Sequence, residues 1–146
     1  MLVLSSWTVA TAALLAGWSA AAAPSRSLDS LDTQLRNGAD KAINCGVVEP
    51  DGKTRLAVNR CVADAMQKKH EFFARYNRGA GIDSEYATGL RRLEDGTLVI
   101  YSFDSSGCMF ANAPPTCGLI LQRYGRVTAV LQGQALVLKC SGEFKF

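Results

Sequence analysis

The chain has 146 residues, 48% hydrophobic and 20% charged, with a formal net charge of +3. This is ordinary globular material, enough for one core and too little for two comfortable ones, so a single domain is expected. The charge is modest, and a nucleic-acid partner, which calls for a dense basic face with interleaved exposed aromatics, is not expected.

Residues 2–23 contain no charged side chain, residues 12–18 are the most apolar, and residues 19–23 are all small. That is the pattern of a signal peptide over residues 1–22, with Ala20 and Ala22 in the recognised positions and Ala23 opening the mature chain. A retained membrane anchor is the alternative, because the uncharged run is long enough to span a bilayer and only the α-amino group precedes it. No cysteine comes before Cys45, so a lipid-bearing cysteine at the processing site has no acceptor.

Residues 23–44 are expected to form an N-terminal arm or short helix ahead of one domain over residues 45–146. Leu28, Leu31 and Leu35 lie on one side, Asp29 and Asp32 come early, and Arg36 comes late, an order that suits the helix dipole. Asn37-Gly38 interrupts the pattern, and a second turn is expected near residues 39–43. The one-sided leucines would cover a sheet edge or serve as a docking arm.

Residues 53–78 read as one long amphipathic helix. At 100° per residue, Val58, Cys61, Val62, Ala65, Met66, Phe72, Phe73 and Tyr76 fall within an arc of roughly 140°, and Arg60, Asp64, Gln67, Lys68, Glu71, Arg75 and Arg78 fall opposite. Lys69 sits near the middle of the apolar arc, where it must snorkel or find a carboxylate. His70, the single histidine, sits at its margin.

Beyond the glycine-rich stop at residues 77–81, strand signals follow closely at residues 84–94, 97–104, 118–123, 126–131 and 135–140, and the tail at 143–146 alternates again. Asp95-Gly96 reads as a two-residue hairpin turn, pairing Tyr86 with Ser105 and Ala87 with Asp104. The expected fold class is therefore α+β: one long helix packed on a five-stranded antiparallel meander, preceded by a short helical segment and braced by disulfides. The second sheet face would need curvature, the N-terminal segment or a partner to hide it.

Five cysteines agree with export into an oxidising compartment. Cys45 with Cys61 would clamp the incoming chain to the helix, and Cys108 with Cys117 would close a loop carrying Pro114-Pro115. Cys140 is left over as a thiol, alternating with Leu136 and Leu138; a buried inert thiol, an intermolecular bridge and a reactive nucleophile all stay open.

Two places invite function. The closed loop carries Met109, Phe110, Pro114 and Pro115, apolar or stiff residues that would either display a preorganised binding tip or fold back over the sheet. The open end of the first hairpin gathers Asp83, Ser84, Glu85, Asp104 and Ser105, which could bind calcium or do acid–base work, although turn-forming at strand ends explains the same residues. A Ser-His-Asp arrangement using Ser84 or Ser105 with His70 and Asp104 has no nucleophile motif behind it. No zinc, phosphate-loop or dinucleotide motif is present, and no cofactor is expected.

The expectation is a small secreted or periplasmic, disulfide-stabilised domain that binds a protein or small ligand, or acts as an inhibitor-like module. The alternative is a small exported hydrolase using the carboxylate cluster.

Overall fold

The computed structural model describes residues 28–81, 84–108, 114, 117–140 and 143–146. Its elements run α1 (Leu28–Arg36), β1 (Ile43–Val48), α2 (Arg55–Gln67), β2 (Phe72–Ala80), β3 (Glu85–Arg92), β4 (Leu98–Asp104), β5 (Leu119–Tyr124), β6 (Thr128–Gln132), β7 (Ala135–Lys139) and β8 (Glu143–Lys145). β1 to β5 form one sheet in that spatial order, and β6 to β8 form a second. The expected signal segment and residues 23–27 of the arm lie outside the described residues. No helix among the described residues is long and apolar enough to cross a membrane.

The long helix does not exist. α2 ends at Gln67, and the aromatic half of the expected helix is a central strand. The stop is a Schellman turn made without glycine: the Lys69 amide donates to the Met66 carbonyl at 3.2 Å, the His70 amide to the Ala65 carbonyl at 2.9 Å, and Lys69 takes a left-handed φ of 59°. Lys69 therefore lies beyond the helix and is exposed, not inside an apolar arc. Past this turn, Phe72, Ala74 and Tyr76 face one side of the sheet and Phe73 the other. Spacings of one and four residues satisfy a helical arc, but the same side chains also alternate, and the sheet gives them two buried faces.

The meander is corrected as well. β1, for which the sequence offers no strand signal, pairs in parallel with β2, and α2 is the crossover between them. Only β2 to β5 follow one another antiparallel within the large sheet. At Gly125 the chain leaves it, and β6 to β8 form a separate antiparallel sheet beside α2. Leu136 and Leu138 are fully buried there against Val58, Val62 and Ala65. The tail is a third strand of this small sheet: the amide and carbonyl of Phe146 exchange hydrogen bonds with those of Leu136 at 2.9 and 3.0 Å.

The other face of the large sheet is covered by α1. Leu31 and Leu35 pack on Phe73, Ala87, Val99, Tyr101 and Phe103, so the leucines cover a face rather than an edge. Gly89 makes the seat, because a methyl group there would lie 2.9 Å from Leu35 and 3.0 Å from Leu31. Polar ties fix the helix in place. Glu85 accepts from the Leu28 amide at 3.1 Å, Arg75 donates to Asp32, and the buried Arg91 donates to the Gln34 carbonyl at 3.1 Å.

Register in the β3–β4 hairpin differs by one residue from the expectation: Tyr86 pairs with Asp104 and Ala87 with Phe103. The Leu93 amide bonds the Thr97 carbonyl and the Gly96 amide the Leu93 carbonyl, so the loop is Glu94-Asp95-Gly96 rather than Asp95-Gly96. It is a tight turn ending in a left-handed glycine with φ 86°, the three-residue hairpin solution. Asp95 accepts from the Thr97 amide at 2.8 Å, and that bond holds its carboxyl below the usual carboxylate range.

Two disulfides brace the fold, Cys45–Cys61 between β1 and α2 and Cys108–Cys117 across the loop before β5. The first spans a separation of 16 residues. Replacing both of its cysteines with alanine is expected to cost about 3 kcal/mol from the lost chain constraint, read from urea unfolding.

Candidate functional site

The polar cluster lies at the end of the large sheet where β2 finishes, β3 begins and β4 finishes. Asp83 is outside the described residues; the other members are held in local hydrogen bonds. The Ser105 hydroxyl accepts from the Glu85 amide at 2.7 Å, and the Glu85 carboxylate caps α1. Asp104 caps the short 3₁₀ turn Ser105–Gly107 by accepting from the Ser106 amide at 2.8 Å; hydrogen bonding from the Ser106 side chain, and then from that amide, keeps its carboxyl below the usual range. Ser84 donates to the Tyr86 hydroxyl at 3.0 Å. A general acid at neutral pH needs the opposite shift, with its carboxyl raised rather than lowered. No three His, Cys, Asp or Glu among the described residues are grouped to hold a metal.

His70 does not approach this cluster. It precedes β2, whose Phe72 pairs with Arg92, whereas Glu85 pairs with Ala80 at the far end. Eight strand residues at about 3.3 Å each put it roughly 26 Å away. The Ser-His-Asp arrangement is therefore not assembled, because the segment that should have carried His70 along a helix is an extended strand.

The structure does bring the cluster, the bridged loop and one sheet edge together. Met109, Phe110 and Pro115 lie outside the described residues; Pro114 is exposed, and its carbonyl accepts from the Cys117 amide at 2.9 Å. Cys108 is buried directly after the 3₁₀ turn, so the loop leaves and re-enters beside Asp104 and Gly118, which are themselves hydrogen-bonded. The loop feeds straight into β5.

Among the described residues β5 has one neighbour, β4, and its other side is an open edge. Ile120 is 66% exposed and Leu121 46%. Alternation places them on opposite faces. Leu119 packs with the α1 side and Tyr124 with the α2 side, so Leu121 belongs to the first and Ile120 to the second. On the second face Thr88, Ser102 and Ile120 form one cross-strand row, with Tyr86 and Asp104 in the next. Tyr86, Ser102, Asp104 and Ile120 are all exposed, so α2 and the small sheet stop short of this end and leave it unroofed. Sequence reasoning missed the edge because it placed this strand third of five in a continuous meander. The signal present was the apolar run Leu119-Ile120-Leu121 followed at once by Gln122-Arg123.

Cys140 lies outside both bridges, half-buried just after β7, at the wall of a cleft also lined by Lys69, Arg92, Arg126 and Lys139. This cleft is at the opposite end of β5 from the bridged loop, beside the Glu94-Asp95-Gly96 turn.

No family model matches the chain, and neither a curated protein nor a solved structure is significantly similar to it. The two disulfides fit an oxidising, extracellular environment.

Proposed function

We propose that this chain is a small secreted or periplasmic binding domain that takes an extended segment of a protein partner along β5. The observation that carries the reading is the open edge itself: a strand whose outer side pairs with no other strand among the described residues, flanked by two exposed aliphatic side chains on opposite faces. Such an edge supplies affinity through main-chain hydrogen bonds and specificity through alternate side chains. Soluble proteins usually blunt exposed edges with inward charges, proline or a covering element. Among the described residues, β5 has none of these over Leu119, Ile120 and Leu121. Arg123 near its C-terminal end favours a partner segment with an acidic residue there.

The disulfide at Cys108–Cys117 supports the same reading, because it fixes the chain immediately before the edge and lowers the ordering cost on association. The carboxylate cluster contributes by anchoring α1 and the 3₁₀ turn beneath this surface.

The test is selection of peptides from a random displayed library on the immobilised domain, followed by affinity measurement on an Ile120→Lys/Leu121→Lys variant. Selected peptides are expected to lose at least about tenfold in affinity on the variant, with the melting temperature held, and to protect β5 amides from hydrogen exchange. Unchanged affinity, or protection elsewhere, would sink the reading. Pairing of two copies through β5 would show as a concentration-dependent dimer in sedimentation and would replace the partner with the chain itself.

A further inference from the structure

A second site lies in the cleft at the other end of β5. It has a volume of about 710 Å³ and is lined by Lys69, Arg92, Arg126 and Lys139 over an apolar floor that includes Met66 and Val127. Four cations reach it from four places: the α2–β2 turn, β3, the β5–β6 turn and the end of β7. Lys69, Arg126 and Lys139 have no ion-pair partner among the described residues. The carboxylates nearby are Asp95, at the rim and already held by the Thr97 amide, and Glu143, opposite Lys139 in the β7–β8 ladder. Arg92 is fixed by donating to the carbonyls of Lys69 and His70 at 2.7 and 3.3 Å, which leaves other guanidinium donors for a ligand.

Lys69 adds an independent observation. It is the only non-glycine residue with a positive φ among the described residues, and it stands where a Schellman turn ordinarily takes glycine. Strain kept at such a position is often repaid by what the side chain does. Here the side chain places an ammonium group at the cleft.

We propose that this cleft binds a small phosphoryl-bearing anion. Four cations against two carboxylates, Asp95 and Glu143, leave an excess of two positive charges that a single carboxylate ligand cannot neutralise, whereas a phosphoryl group brings close to two negative charges and three acceptor oxygens. The cleft is too local for a nucleic-acid backbone, which would need a basic track. It is independent of the β5 edge, and either can fail alone.

The experiment titrates inorganic pyrophosphate into the full chain at physiological salt, following the backbone amides of Gly96, Gly125 and Cys140 by NMR. Saturable shifts confined to these positions are expected. Lys69→Gly is expected to raise the melting temperature by relieving the strained φ and at the same time to weaken pyrophosphate about fivefold, as is Lys139→Gln; Lys53→Gln, an exposed lysine before α2, leaves affinity unchanged. A lysine kept for structure alone would give no gain in melting temperature with glycine, or a gain with no change in affinity. Vesicles of phosphatidylcholine with phosphatidic acid form the second arm. Lys69-dependent co-sedimentation assigns the phosphoryl group to a lipid, and pyrophosphate binding without it assigns a soluble ligand. No saturation in either arm, or equal losses with Lys53→Gln, overturns the site.

Discussion

Asn59→Ala is expected to destabilise the fold by about 3–4 kcal/mol, with the small sheet loosening first. Asn59 is fully buried in α2, on the same stripe as Val58, Val62 and Ala65, where an amide belongs only if every polar atom finds a partner. Its NH₂ group donates to the Gln134 carbonyl at 2.7 Å and to the Phe146 carbonyl at 3.3 Å, and its oxygen accepts from the Tyr76 hydroxyl at 2.7 Å. One side chain therefore ties the β6–β7 turn and Phe146 to β2, an interior strand of the large sheet. The Tyr76 and Phe146 rings also meet in a tilted contact, with centroids 4.9 Å apart. Truncation leaves a phenol hydroxyl and a carbonyl buried without their partner, which costs more than the bonds themselves. The measurement is the urea midpoint at constant m-value, with amide exchange of Leu136 and Leu138 as the local readout. A loss below about 1 kcal/mol would mean that apolar contact alone holds the small sheet.

The same triad fixes an alkaline limit. Burial raises the Tyr76 phenol well above its ordinary value of 10.0, against a smaller opposing effect from Arg55. The unfolded chain ionises near 10 while the folded chain keeps its proton, so unfolding releases protons above that pH and stability falls as pH rises further. Below about 10 this contribution is intact. Tyr76→Phe is expected to flatten the alkaline slope while lowering stability at neutral pH through the lost bond to Asn59.

The sequence made the fold legible where one local signal had one solution. α1 follows from its leucine spacing and its early acids, and the strands after residue 84 follow from alternation closed by glycine turns. Residues 67–76 offered two solutions, since Met66, Phe72, Phe73 and Tyr76 satisfy a helical arc as well as a strand between two buried layers. The deciding feature, a Schellman turn with lysine at the left-handed position, carries no glycine to announce it. β1 was hidden for a related reason: its pairing is parallel, so its partner lies across a helix rather than across a turn. Cysteine positions were easier to read, because Cys45 and Cys61 flank a strand-to-helix connection and Cys108 and Cys117 flank a proline-bearing loop. The apolar run Leu119-Ile120-Leu121 did not by itself mark an open edge, since that edge exists only because the chain leaves the large sheet at Gly125. Once β6 to β8 are taken away, the third expected strand becomes the last one, and Ile120 and Leu121 change from interior residues into surface.

Gly118→Ala is expected to cost at least about 3 kcal/mol and, with it, the binding edge. Gly118 has φ 78°, where a Cβ is disfavoured in any surroundings, and a methyl group there would run into the Asp104 carbonyl oxygen, with the Cys108 sulfur 3.2 Å away. Neither neighbour can yield. Asp104 donates its amide to the Gly118 carbonyl at 2.9 Å and ends a strand paired on both edges, with β3 and β5, while Cys108 is tied to Cys117, the residue just before the glycine. Relief therefore requires Leu119 and its neighbours to peel from β4, which uncouples β5 from the sheet at the end where the bridged loop enters. Gly107→Ala is the control: no atom lies within 4 Å of its would-be Cβ and its φ is not positive, so a change within about 0.5 kcal/mol is expected. Urea unfolding gives the stability difference, and exchange of the Leu119, Ile120 and Leu121 amides reports whether the strand has come away. If Gly118→Ala costs no more than Gly107→Ala and those amides stay protected, β5 is not clamped at Gly118. The preorganised edge proposed to receive a partner strand would then lose its physical basis.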